Sequence, residues 1–203
     1  MVRKTKAEAA ATREALLDAA EEVFFEKGVA RTSLEQIARH AGLTRGAVYW
    51  HFKNKGDLFM ALVERVRMPF QSLMEEVNNT DPTISPLEAI RLACHAGLNR
   101  LEQPSHQRIL SILLHRCEFF SDINPIEMQD EISEECFDEM LLVFQLAQQQ
   151  HLLRDDITPE VATRLMQSTL GGLFHDWLRN PDAFSLRARG AELIDALIKM
   201  LQR

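Results

Sequence analysis

Chain breakers and β-branched residues are scarce in this sequence. Its 203 residues hold eight glycines and seven prolines, and nine valines with eleven isoleucines against 21 alanines and 27 leucines. An average protein carries about 12% glycine plus proline, so interruptions are few, and Ala, Leu and Glu favour helix while β-branched residues favour strands. An all-β fold is excluded, and an alternating α/β fold is disfavoured. No apolar run approaches the roughly 18–20 residues of a membrane span, and the basic start MVRKTKAEAAATRE lacks the apolar core of a signal peptide. A cytoplasmic protein with no membrane partner is expected. Cys94, Cys117 and Cys136 are an odd number in a long chain, which argues against a disulfide framework and for reduced thiols on apolar faces.

Signatures of catalysis are missing as well. The chain has no HExxH, GxSxG, P-loop or GxGxxG pattern. His115-x-Cys117 and Cys94-His95 lack the paired spacing of a zinc site, and His175-Asp176 has no nucleophile beside it in sequence. No catalytic residue, no metal site and no cofactor are expected.

What is present is helical periodicity and an uneven charge. Residues 1–67 carry 12 Lys and Arg against 9 Asp and Glu, while the remainder is strongly acidic and the whole chain has net charge −7. Nucleic acid attracts such a head and repels such a body. Thr12 to Lys27 places Leu16, Leu17, Ala20, Val23 and Phe24 on one stripe, and Gly28 ends that helix. Ser33-x-x-Gln36 fits a capping box opening a second helix, with Leu34, Ile37, Ala38 and Ala41 inward and Gly42 closing it. Thr44 then caps a short third helix, Arg45 to Phe52. Two short helices joined by a tight glycine turn form a helix-turn-helix pattern. Beyond it, helices are expected over 56–77, 86–103, 105–120, 126–150, 159–179 and 184–201, with Pro69 kinking or stopping the first of these.

The third helix, RGAVYWHF, is a poor core element. Val48 and Phe52 can face inward together, but Arg45, Tyr49, Trp50 and His51 cannot all follow them. It suits the DNA major groove, where a recognition helix presents its N-terminal residues to base edges. Small Gly46 and Ala47 permit close approach, Arg45 can pair with guanine, and Tyr, His and Lys suit phosphate oxygens.

Residues 10–70, and above all GVARTSLEQIARHAGLTRGAVYWHFKNKGDLF (Gly28–Phe59), resemble the DNA-binding domain of TetR-family transcriptional regulators. The run YWHFKNK, Tyr49 to Lys55, is very specific to that family. The N-terminal wording, with weaker likeness at LLHRCEF (Leu113–Phe119) and LFHDWLRNPDAF (Leu173–Phe184), resembles the branch repressing multidrug efflux pumps, the AcrR/TtgR type. The resemblance implies an all-α homodimer of about nine helices, with a DNA-binding domain over 10–70 (helix-turn-helix about 33–52) and a ligand-binding and dimerisation domain over 71–203. It implies a palindromic double-stranded operator, released when a small hydrophobic effector such as a drug enters the body. Carried over by position, Ser33 meets a phosphate; Thr44, Arg45, Gly46 and Ala47 face bases; Tyr49, Trp50 and His51 lie along the backbone; Lys55 points at a phosphate. Glu35 departs from relatives that place a base-reading cation there.

In the body, Leu92, Ala96, Leu110, Leu113, Leu114, Cys136, Met140, Gln167, Leu170 and Phe174 line up with the pocket positions implied by that branch. Gly171 and Gly172 stand where a relative carries a pocket carboxylate. The last two helices are apolar beyond one stripe, so Leu173, Trp177, Leu193 and Leu197 are expected at a two-fold interface. A metabolite-responsive regulator and a sensor using Cys117 or Cys136 remain as alternatives.

Overall fold

The computed structural model describes residues 6–117 and 124–203. Among them are ten α-helices, one π-turn and no strand; a single antiparallel bridge joins Leu153 and Gln202. None of the helices is long and apolar enough to cross a membrane. Glu118, Phe119 and Phe120, which end the expected helix 105–120, lie outside the described residues, as do the first five residues of the N-terminal arm.

The chain divides into two compact units. Met1–Arg67 and Ser105–Met128 form one, Met68–Pro104 and Gln129–Arg203 the other. These compact units meet at Arg67/Met68 rather than at 70/71, and residues 105–128 group with the first of them.

In the first unit α1 (Lys6–Lys27), α2 (Leu34–His40), α3 (Arg45–His51) and α4 (Lys55–Glu64) pack together. The α1 stripe is buried as the periodicity requires, and Phe24 meets Phe59 of α4 edge-on, ring centres 6.0 Å apart. Gly28 at φ 81° and Gly42 at φ 67° take the left-handed conformation that ends α1 and α2, a backbone state costly for any side chain with a Cβ. The capping box is made in both directions: Ser33 Oγ accepts from the Gln36 amide, and Gln36 Oε1 accepts from the Ser33 amide at 2.8 Å. Thr44 and Asn54 cap α3 and α4 in one direction, each side chain accepting from the backbone amide three residues on. The sequence α7 (Pro104–Ser111) widens into a π-turn over Ile112–Arg116. It is tied to α1 through Glu21, which is buried, accepts from Ser105 Oγ at 2.9 Å and pairs with Arg108 Nε at 2.7 Å.

The helix expected over 56–77 is two helices, α4 and α5 (Phe70–Thr80). Pro69 caps the second, because a proline cannot donate within a helix and drives the residue before it out of the helical region.

The second unit holds α5, α6 (Pro86–Leu101), most of α8 (Pro125–Gln149), α9 (Pro159–Arg179) and α10 (Leu186–Leu201). Its core is built around α10, whose Ile194, Leu197 and Leu201 are buried as α10 packs on α6, with buried Ile90, Ala93 and Leu98, and on α9, with buried Leu173 and Trp177. Gly190 lets α10 approach closely: a Cβ there would stand 2.6 Å from Leu98 Cδ1 and 3.0 Å from Leu173 Cδ2. Helix α8 ends at His151, a non-glycine in the left-handed region at φ 56°, with Leu152 N donating to Ala147 O.

Candidate nucleic-acid interface

Helix α3 is anchored by two side chains and presents the rest. Val48 and Phe52, one turn apart, are buried against the head core. That fixes the rotation of the helix and turns Arg45 (74% exposed), Tyr49 and Trp50 (71% exposed) outward. Thr44 and Gly46 are also exposed, and Ala47, His51 and Ser33 are half-buried. The Thr44 hydroxyl accepts from the Ala47 amide at 3.2 Å. The Trp50 and His51 rings meet edge-on at 4.5 Å.

The exposed side chains are held from α2. Glu35 Oε1 accepts from Tyr49 Oη at 2.9 Å and lies 3.3 Å from Arg45 Nε. The Arg45 guanidinium stands over the Tyr49 ring, 5.4 Å from its centre. The backbone amide of Glu35 itself, then the Tyr49 hydroxyl, hold the Glu35 carboxyl below its ordinary range. The sequence reading left Glu35 without a role. The signal available was its isolation: between Lys27 and Gly56 it is the sole Asp or Glu, amid five Lys and Arg.

Lys55 has partners within the chain. Its ammonium donates to the carbonyl of Val29 at 2.7 Å and of Ala30 at 3.1 Å. Burial pushes its pKa below the ordinary lysine value. Lys55 therefore clasps the start of α4 to the loop between α1 and α2, whereas the family resemblance implied an ammonium aimed at a phosphate.

The ten residues expected at a ligand pocket divide between the units. Leu110, Leu113 and Leu114 lie in the first; Leu92, Ala96, Cys136, Met140, Gln167, Leu170 and Phe174 lie in the second. Leu113 and Met140 (2% exposed) are packed, Leu114 is exposed, and the others are half-buried. Gln167, expected as a polar contact for a ligand, instead joins α9 to α8, its Nε2 donating to Ser133 O at 2.8 Å and to Ser133 Oγ at 2.7 Å. A concavity of about 220 Å³ in the first unit is lined by Glu26, Lys27, Gly28, Ala30, Arg31, His115 and Arg116. Another of about 460 Å³ lies beside Arg154, Asp155, Asp156, Gln202 and Arg203. None of the ten lines either.

Of the four residues expected at a two-fold interface, three are packed within the chain. Leu173, Trp177 and Leu197 are buried within one chain, where α6, α9 and α10 already cover them, while Leu193 is 40% exposed. The residues left uncovered form two other stripes: Val161, Leu165, Ser168 and Gly172 on α9, and Leu193, Ala196 and Met200 on α10. Sequence periodicity showed these helices to be broadly apolar but not which stripe the chain covers itself.

Burial pushes the Cys94 thiol up to about 12, and those of Cys117 and Cys136 to about 11. Such groups stay protonated at neutral pH and are poor nucleophiles, which weighs against the thiol-sensor alternative.

Comparison with known proteins agrees with this geometry. Residues 16–62 match the family described as bacterial regulatory proteins, tetR family, and residues 85–203 match the C-terminal region of MAATS-type transcriptional repressors. The HTH-type transcriptional repressor BepR of Brucella suis biovar 1 (strain 1330) is 32% identical over 99% of this chain and 97% of its own length. The crystal structure of NalD, the secondary repressor of the MexAB-OprM multidrug efflux pump in Pseudomonas aeruginosa, superposes with a TM-score of 0.84 at 38% identity, covering 98% of this chain and 99% of its own. SmeT, the repressor of the Stenotrophomonas maltophilia multidrug efflux pump SmeDEF, solved as a triclosan complex, gives 0.81 at 34% identity, covering 95% and 92%. This chain is a transcriptional regulator rather than an enzyme, and it belongs to the TetR family of bacterial regulatory proteins.

Proposed function

We propose that this protein is a cytoplasmic repressor of a multidrug efflux pump operon, that it grips a palindromic operator as a homodimer, and that a small hydrophobic ligand releases it. The observation that carries the DNA-binding part is α3, a short helix anchored by Val48 and Phe52 and presenting Arg45, Tyr49 and Trp50. In this reading Arg45, with Thr44, Gly46 and Ala47, faces base edges, while Ser33, Tyr49, Trp50 and His51 meet the backbone. Control of a pump rests on likeness to NalD and SmeT, and the ligand class on the triclosan bound by SmeT. The half-buried faces of Leu92, Ala96, Cys136, Leu170 and Phe174 are the surfaces offered to that ligand. The uncovered stripes of α9 and α10, paired about a two-fold axis, make the dimer. A ligand displaces the operator only in so far as it prefers the released state to the bound one.

Fluorescence anisotropy on the DNA upstream of the gene tests the reading. Binding is expected to fall steeply with salt as phosphate neutralisation requires, and to weaken in Arg45→Ala and Tyr49→Phe without loss of helicity. Titrating triclosan and other apolar drugs should release the duplex. No preference for any duplex over a scrambled one would refute the DNA reading; release by a polar metabolite alone would refute the drug reading.

A further inference from the structure

Glu35 stands where an interface to DNA should not want it. It is the only carboxylate between Lys27 and Gly56, it is a third exposed, and it lies in the first turn of the helix preceding α3. A negative side chain facing a polyanion weakens every contact around it, whatever the sequence of the duplex. It is, however, not idle. One oxygen, Oε1, holds two side chains of α3 at once, Arg45 through Nε at 3.3 Å and Tyr49 through Oη at 2.9 Å. The Tyr49 ring, 5.4 Å from the guanidinium carbon, supports Arg45 from a second side. With Nε the guanidinium nitrogen nearest the carboxylate, an ion-pair contact at 3.3 Å, the end-on pair Nη1 and Nη2 is the fork that remains to pair with the O6 and N7 acceptors of guanine.

We propose that Glu35 is a specificity-determining positioning residue, which lowers affinity for all DNA while aiming Arg45 and Tyr49 so that a guanine at one position is preferred. The proposal rests on the reading of α3 as the DNA-contacting helix. An unheld arginine reaches phosphates and several base edges about equally well. A held one meets the correct base without reorganising and meets a wrong one badly, and specificity is that difference.

The test uses the full-length protein and a random-core duplex pool. Wild type is expected to enrich a palindromic site with a guanine in each half. On that site and on a scrambled duplex, Glu35→Ala is expected to bind the scrambled DNA more tightly and to discriminate about ten-fold less, the scale of one bidentate base contact. Its salt slope should steepen by about one unit, as one more uncompensated cation meets phosphate. Glu35→Gln loses the charge but keeps an acceptor for Tyr49 and Arg45, so its slope should steepen likewise while most discrimination survives. In an Arg45→Ala background, Glu35→Ala should change discrimination no further, because the two act on one contact. A residue that merely stabilised α2 would lower the melting temperature and weaken all duplexes alike. Unchanged discrimination and slope in Glu35→Ala, or an undiminished effect in the Arg45→Ala background, would overturn the proposal while leaving the DNA reading intact. A wild type that enriches no sequence would overturn the DNA reading, and the proposal with it.

Discussion

Leu193 and Leu197 sit one turn apart on α10, and replacing each with arginine should give opposite results. Leu197 is 6% exposed, packed in the core that α10 shares with α6 and α9. Leu197→Arg forfeits the burial of a leucine, about 1.5–3 kcal/mol, and forces a guanidinium into a site with no designed partner, roughly several kcal/mol more. The sum rivals the 5–15 kcal/mol of a typical domain, so this variant should aggregate or melt far below wild type. Leu193 is 40% exposed, and a surface change there costs the single chain about 0.5 kcal/mol or less. If the stripe Leu193, Ala196 and Met200 is the two-fold interface, however, the substitution buries an unpaired charge on each side of the axis. At about 2 kcal/mol each, the dimer dissociation constant rises about a thousand-fold. Circular dichroism melts and sedimentation velocity over a concentration series read the two effects separately. Leu193→Arg should keep its helicity and run as a monomer at micromolar concentration. A Leu193→Arg protein that sediments as wild type would remove this stripe from the interface, and a well-folded Leu197→Arg dimer would refute the core assignment.

Four further outcomes are expected. Met140 is 2% exposed, so Met140→Trp should overpack the second unit and cost about 1–3 kcal/mol in chemical denaturation; wild-type stability would place open volume there. The thiols, held at about 11 to 12, should react with a disulfide reagent at pH 8 about a hundred-fold or more slower than a free cysteine. Because these groups bind protons more tightly folded than unfolded, stability should be flat below the ordinary thiol pKa and fall as pH rises from there toward 11 to 12; a rise in stability over that range would contradict the sign. Lys55→Met removes the clasp on the Val29 and Ala30 carbonyls and leaves Val29 O with the 3.3 Å bond from the Thr32 amide, so hydrogen exchange should quicken in the α1–α2 loop; unchanged exchange would return Lys55 to a role outside the fold.

The elements of the head were legible residue by residue because their signals are local. A capping box, two glycines in the left-handed conformation and the i, i+4 pair Val48 and Phe52 act within one or two turns, and each appears where the spacing put it. Helices α6, α8, α9 and α10 followed from periodicity to within about two residues. The break of 56–77 at Pro69 was half visible, since a proline announces an interruption but not whether the chain kinks or restarts.

Partner choice was not legible. Lys55 and Gln167 carry the right chemistry for a phosphate and a ligand, yet the fold brings carbonyls and a serine within 3 Å of them first. Trp177 and Leu197 are as apolar as any interface residue, yet each is packed inside the single chain. Glu35 is separated from Tyr49 by fourteen positions and from Arg45 by ten, so no helical period connects them. Periodicity ranks the faces of one helix by polarity, and caps set where it starts and stops. Which face meets which neighbour, and which polar group finds its partner inside the chain, depends on contacts between residues distant in sequence, and these exist only once the helices have packed.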